Sequence, residues 1–204
     1  TEICRIPEVC LEVTMQPVRR FGVDAAILFA DIMTPLEPMG VSFEIKEQIG
    51  PVIHHPIRTM DDVTRLRLPE WDEALPAMLE AIRLVRRELA GKTPLIGFAG
   101  APFTLASYLI ENKPSRDLAR TKEAMYRAPE VWHALLDRLA EGICGWLAAQ
   151  VRAGVQAVQL FDSWVGALSP ADYREFVLPY SRRIFDGLSG LGVPRIHFGT
   201  GTAM

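Results

Sequence analysis

Pro94-Leu95-Ile96-Gly97-Phe98-Ala99 runs directly into Gly100-Ala101-Pro102. It is an apolar stretch of strand length, then a small-residue turn, then a proline suited to open a helix. Three other runs have the same form. Ala25-Ala26-Ile27-Leu28-Phe29-Ala30 ends on Asp31, Val155-Gln156-Ala157-Val158-Gln159-Leu160-Phe161 on Asp162-Ser163, and Arg195-Ile196-His197-Phe198 on Gly199-Thr200-Gly201. Near-continuous apolar runs separated by long helical stretches are what a parallel sheet covered on both faces requires. In such sheets the chemistry gathers where strands leave the sheet, so functional residues are expected at these four ends.

The intervening stretches read as helices. Residues 7–21 are expected to be helical from Pro7, bent at Pro17 and ended by Gly22. Residues 35–56 read as irregular, with Val41, Phe43 and Ile45 alternating as a short strand outside the main sheet. Thr59 with Asp62 three residues on forms a cap pattern. A helix over 71–89, with Leu75, Met78, Leu79, Ile82 and Leu89 on one side, should stop at Gly91. Further helices are expected over 102–111, 116–127 and 129–153, the last closed by Gly154. Ser169-Pro170 caps another, which Pro179 should break or kink, and residues 190–194 turn into the last strand.

This alternation permits two α/β architectures. A doubly wound sheet would carry a glycine-rich phosphate loop after its first strand, but Ala30-Asp31-Ile32-Met33 stands there and no G-x-G-x-x-G or Walker pattern occurs in the chain. A (β/α)8 TIM barrel fits better. Eight strands close a barrel and four main strands are visible, so residues 1–204 read as one domain forming an incomplete barrel.

A net charge of -3 and a pI near 5.8 give no basic footprint for nucleic acid or an anionic membrane, so an acidic ligand must be met by local Arg or Lys. No run approaches a membrane span and the first residues lack a signal pattern. Cys4, Cys10 and Cys144 form no CxxC pair and read as reduced core residues of a cytoplasmic protein.

Three blocks carry a family resemblance. They are residues 12–32, ending Leu28-Phe29-Ala30-Asp31-Ile32; Gly97-Phe98-Ala99-Gly100-Ala101-Pro102-Phe103-Thr104-Leu105 with Tyr108 four residues after Thr104; and Gln159-Leu160-Phe161-Asp162-Ser163-Trp164-Val165-Gly166. In this order they closely resemble the uroporphyrinogen decarboxylase family of tetrapyrrole biosynthesis. The resemblance implies a TIM-barrel enzyme that removes carbon dioxide from the four acetate side chains of uroporphyrinogen III to give coproporphyrinogen III. It also implies no cofactor and no metal, and a cytoplasmic homodimer. A protonated pyrrole would accept the electrons that a departing carbon dioxide leaves behind, so the substrate supplies its own electron sink.

The same resemblance implies site residues. Asp31 matches the central acidic residue that would accept pyrrole N–H bonds and stabilise the cationic ring. Read unaided, it orients the turn after its strand. Tyr108 matches a tyrosine beside a reacting acetate, able to donate to a carboxylate or relay a proton; unaided, beside Leu105 and Leu109, it is packing. Ser163 matches a position that hydrogen-bonds a substrate carboxylate, whereas unaided Asp162-Ser163 before Trp164 reads as turn chemistry. Gly97, Gly100 and Ala101 would let the backbone approach a macrocycle, or simply make a tight turn.

The family's arginine-rich R-Q-x-G-R segment is expected before Thr1, and the histidine of its C-terminal part beyond Met204. Activity is therefore expected to depend on sequence outside these ends, since the arginines would grip the substrate's carboxylates. A truncated remnant or a non-catalytic binding module of the same partial fold is the reading from another class. Related corrinoid-dependent methyltransferases bind zinc through His-x-Cys at a strand end comparable to His197, but Gly199 stands in the cysteine's place. His54-His55 lack a third ligand nearby, and His133 reads as packing or surface. Arg19-Arg20, Arg86-Arg87 and Arg182-Arg183 read as solvated helix faces.

Overall fold

The computed structural model describes residues 5–46, 48, 50–112, 115 and 117–202. Cys4 and Arg116, the start of one expected helix, lie outside them. The strands are β1 (Ala26–Ile27), β2 (Phe43–Lys46), β3 (Gly50–Ile53), β4 (Leu95–Gly100), β5 (Ala157–Asp162) and β6 (Arg195–Gly199). β1, β4, β5 and β6 form one parallel sheet in that spatial order, and β2 pairs with β3 antiparallel beside it. Each parallel strand joins on the same side as its predecessor, so the winding never reverses. Doubly wound sheets have such a reversal and barrels do not. The mixed α/β chain with its parallel sheet is a partial barrel.

The helices are α1 (Pro7–Phe21), α2 (Met60–Thr64), α3 (Trp71–Ala74), α4 (Pro76–Leu89), α5 (Pro102–Glu111), α6 (Ala119–Arg127), α7 (Pro129–Ala153), α8 (Pro170–Phe176) and α9 (Leu178–Gly187). None among the described residues is long and apolar enough to cross a membrane. The capping signals act as their chemistry dictates. Gly22 ends α1 at φ 61°, and the Thr59 hydroxyl accepts from the Asp62 N–H while Asp62 Oδ2 accepts from the Thr59 N–H at 2.9 Å. α6 is capped from outside. Its N-cap, Leu118, offers no side-chain acceptor, and the buried Glu111 carboxylate at the end of α5 instead takes the Thr121 N–H and hydroxyl, both at 2.9 Å.

The helical stretches expected at 71–89 and after Ser169 are each two helices. Pro76 has no N–H to continue α3, so α4 starts afresh from it. Pro179 likewise moves the break back to Val177, between α8 and α9.

The register sorts each strand's side chains onto two faces. Leu28, Leu95, Ala99, Val158 and Leu160 point outward and are buried against α1, α5 and α7. Ile27, Phe29, Phe98, Phe161, Ile196 and Phe198 point inward. Helices therefore cover one face only, contrary to the two-sided cover expected, because the inner face of a barrel turns towards its own axis. It is apolar nonetheless: Ile27, Phe29, Ile196 and Phe198 are 46%, 38%, 36% and 41% exposed.

β1 is shorter than its apolar run. Its last ladder bond is Leu28 N–H to Ile96 C=O at 3.1 Å. One step further the N–H and C=O of Phe98 would meet β1, but the buried Gln150 side chain of α7 takes both. Its Oε1 accepts from Phe98 N–H at 3.0 Å and its Nε2 donates to Phe98 C=O at 2.9 Å. The chain leaving β1 is held by α1 instead: Phe29 N–H donates to Thr14 Oγ1 at 2.9 Å, and the Cys10 thiol donates to Phe29 C=O at 3.2 Å.

Candidate active site

The loop leaving β1 carries Asp31. Its Oδ1 accepts the Met33 N–H at 2.8 Å and its carbonyl accepts the Thr34 N–H at 3.0 Å. The turn-orienting role is therefore present, and it engages only one carboxylate oxygen in these bonds. The partial exposure of Asp31 leaves it open to a ligand.

Tyr108 stands on α5 two turns after Pro102, which occupies the first helical position. Its ring meets Trp164 edge-on, with centroids 6.1 Å apart and planes at 71°. Burial holds the phenol above its ordinary pKa, the Trp164 side-chain hydrogen bond works against that rise, and the charge of Asp31 adds to it. Residues from the ends of three strands thus converge: Asp31 after β1, Tyr108 after β4, and Trp164 after β5. At neutral pH the phenol keeps its proton and is available as a donor. Ser163, half-buried, adjoins Trp164, and its carbonyl accepts from the Thr200 hydroxyl.

Gly100 and Ala101 do not open onto this group. A Cβ on Gly100 would stand 2.6 Å from Leu105 Cδ2 and 3.3 Å from Ile32 Cβ. Its bare backbone lets the loop after Asp31 dock on β4, where Gly100 N–H reaches the Ile32 carbonyl at 3.4 Å. Ala101 is fully buried and donates its N–H to Phe161 C=O at 2.9 Å.

Beneath these residues the inner face is paved with aromatic rings. Phe161 lies 5.2 Å from Phe98 and 5.4 Å from Phe198, centroid to centroid. A cavity of about 360 Å³ runs along the β1 edge of this sheet, between α1 (Val13, Thr14, Pro17) and Ile27, Phe29, Phe98 and Phe161, and none of Asp31, Tyr108 or Trp164 lines it.

A second polar group lies just behind. Asp162, the last residue of β5, is fully buried; its Oδ1 accepts from the Thr104 hydroxyl at 2.9 Å, and its Oδ2 faces His197 Nε2 at 3.3 Å. Thr104 Oγ1 in turn accepts the Trp164 N–H at 3.3 Å. Sequence reasoning read Asp162 as turn chemistry and left Thr104 and Trp164 without roles. The usable signal was the alternation Val158, Leu160, Asp162, which turns the carboxylate to the buried face. His197 is the strand-end histidine singled out above, and its ring is committed to this carboxylate. His133 packs, with Nδ1 2.7 Å from the Tyr180 hydroxyl and its ring stacked on Phe176.

The uroporphyrinogen decarboxylase (URO-D) family model matches residues 1–204. The chain belongs to the uroporphyrinogen decarboxylase family. It is 57% identical over 197 residues to the uroporphyrinogen decarboxylase of Carboxydothermus hydrogenoformans, covering 97% of this chain and 56% of that protein. Its identity to the Sorangium cellulosum protein of the same name is 58% over 201 residues, 98% of this chain and 57% of the relative. For the Geotalea daltonii protein it is 53% over 205 residues, 100% and 60%. The chain thus spans somewhat over half the length of these family members. Among solved structures it superposes on a methyltransferase from Methanosarcina mazei with a TM-score of 0.78 at 20% identity, over 98% of this chain and 58% of that one. That likeness extends the shared architecture and nothing further.

Proposed function

We propose that the whole protein decarboxylates the acetate side chains of uroporphyrinogen III to yield coproporphyrinogen III. The observation that supports this reading is the convergence of the Asp31 carboxylate and a proton-bearing Tyr108 phenol at the strand ends, above an aromatic wall suited to the faces of a macrocycle. In the first step a proton adds to a pyrrole ring carbon and the ring becomes cationic. The acetate carboxylate then loses carbon dioxide, and the electron pair of the broken carbon–carbon bond flows into the ring. A proton added at the side-chain carbon makes the methyl group, and loss of the ring proton restores the pyrrole. Asp31, with an oxygen outside its turn bonds, accepts pyrrole N–H groups and stabilises the cation. Tyr108 donates to the reacting carboxylate, and Ser163 to a neighbouring one.

The clustering of acidic Asp31 with an apolar floor leaves the remaining substrate carboxylates to be met by positive groups elsewhere in the whole protein. A homodimeric, cytoplasmic enzyme belongs to the same proposal. Anaerobic incubation of the whole protein with uroporphyrinogen III tests it, with products separated by the number of carboxylates retained. Stepwise loss ending at coproporphyrinogen is expected. Unchanged substrate with a well-folded protein would overturn the activity and favour a binding module.

A further inference from the structure

We infer that Thr104, anchored by Asp162, is a positioning residue that places the Trp164 indole against Tyr108; this deepens the proposed function and rests on the role given there to the phenol. Thr104 and Tyr108 stand four residues apart on α5 and so share one face of it. Trp164 touches both. Its backbone N–H reaches the Thr104 hydroxyl at 3.3 Å, and its ring lies edge-on to Tyr108 with centroids 6.1 Å apart. The loop after β5 is thereby pinned at its backbone by one residue of α5, and its side chain is presented to another.

The pin has a direction because a hydroxyl has a single hydrogen. Thr104 spends that hydrogen on Asp162 Oδ1 at 2.9 Å, which leaves a lone pair for the Trp164 N–H. Both Thr104 and Asp162 are fully buried. A buried carboxylate is costly unless its oxygens are engaged, and here the second oxygen faces His197 Nε2 at 3.3 Å. One carboxylate at the end of β5 thus joins the start of α5 to the middle of β6. A second tie acts on the same loop, the Thr200 hydroxyl donating to the Ser163 carbonyl. With the backbone of Trp164 fixed, the 3-10 turn at Val165–Ala167 follows it and the indole is presented edge-on to Tyr108.

Thr104→Val keeps the shape and removes the hydroxyl, and Thr104→Ser restores it. Both are made in the whole protein, and the indole N–H resonances of its four tryptophans within this chain are recorded by 15N NMR. Trp164 is assigned from Trp164→Phe. With Val at 104 the Trp164 resonance is expected to move while those of Trp71, Trp132 and Trp146 stay, and with Ser it returns. Turnover of uroporphyrinogen should fall roughly tenfold or more in kcat with KM little changed, and Ser should recover most of it. A Trp164 resonance indifferent to Val would overturn the inference, as would equal losses for Val and Ser. If the Val variant does not fold, Thr104→Ala, which also lacks the hydroxyl, should still displace the Trp164 resonance, and an unmoved resonance would overturn the inference. A parent protein inert to uroporphyrinogen would refute the proposed function alone, because the resonance reads the placement independently.

Discussion

Gln150→Met tests how the sheet is held where β1 leaves it. Methionine matches glutamine in length and lack of branching, so the volume beside β4 is retained while the amide is lost. The substitution orphans Phe98 N–H and Phe98 C=O, now bonded at 3.0 and 2.9 Å, in a position where Phe98 is itself buried. An unsatisfied buried backbone group costs about 1–3 kcal/mol, so two cost roughly 2–6; apolar surroundings that welcome methionine bring the expected loss to about 3 kcal/mol. Urea unfolding followed by circular dichroism measures it as a lower midpoint at unchanged slope. A loss under about 1 kcal/mol would refute the reasoning, since it would mean that β1 closes onto β4 and supplies the two partners itself.

Asp31→Asn retains the turn oxygen but not the charge, and should lower the decarboxylation rate by at least about a hundredfold, roughly 2.7 kcal/mol or more of transition-state stabilisation; near-parental turnover would exclude the electrostatic role. Tyr108→Phe keeps the ring against Trp164 and should cost turnover while the melting temperature changes little; the reverse pattern would return Tyr108 to packing. For Asp62, burial pushes the carboxyl up, but the Arg58 N–H and the hydroxyl and N–H of Thr59 outweigh it and hold the pKa below its ordinary 3.8. A lowered folded value stabilises the native state fully above 3.8 and less as pH falls through it. Asp62→Ala should therefore cost about 1 kcal/mol near neutrality and progressively less in acid, as read from melts across pH.

The strand ends and most helix boundaries were legible because each is set by local chemistry. Gly22, Thr59, Pro102, Pro129 and Gly154 act on their immediate neighbours, and the apolar runs declare β4 and β5. The limits lay where distant residues decide. Nothing near Ala30 announces that β1 stops early, since the cause is Gln150, far along the chain on α7. The cap of α6 was hidden for the same reason, its acceptor being Glu111 of the preceding helix. In the candidate site, the apolar run placed Asp31 at a strand end, but its role, and Tyr108 altogether, came through the resemblance. Asp162 looked like turn chemistry because the run before it was read as ending at Phe161. One more residue of strand turns the carboxylate to the helix-covered face and gives it Thr104 and His197.

The handover of β1 from sheet to helix bears on how Asp31 can move. A residue locked in a ladder shifts only if its neighbours shift too, whereas the segment after Leu28 hangs from Thr14 and Cys10 of α1 and meets β4 again through the long Gly100–Ile32 contact. Asp31 therefore rides on a tether with its own compliance. On the proposed function, such a tether would let Asp31 follow a ring that gains a proton and loses carbon dioxide, while the strands bearing the aromatic wall stay still.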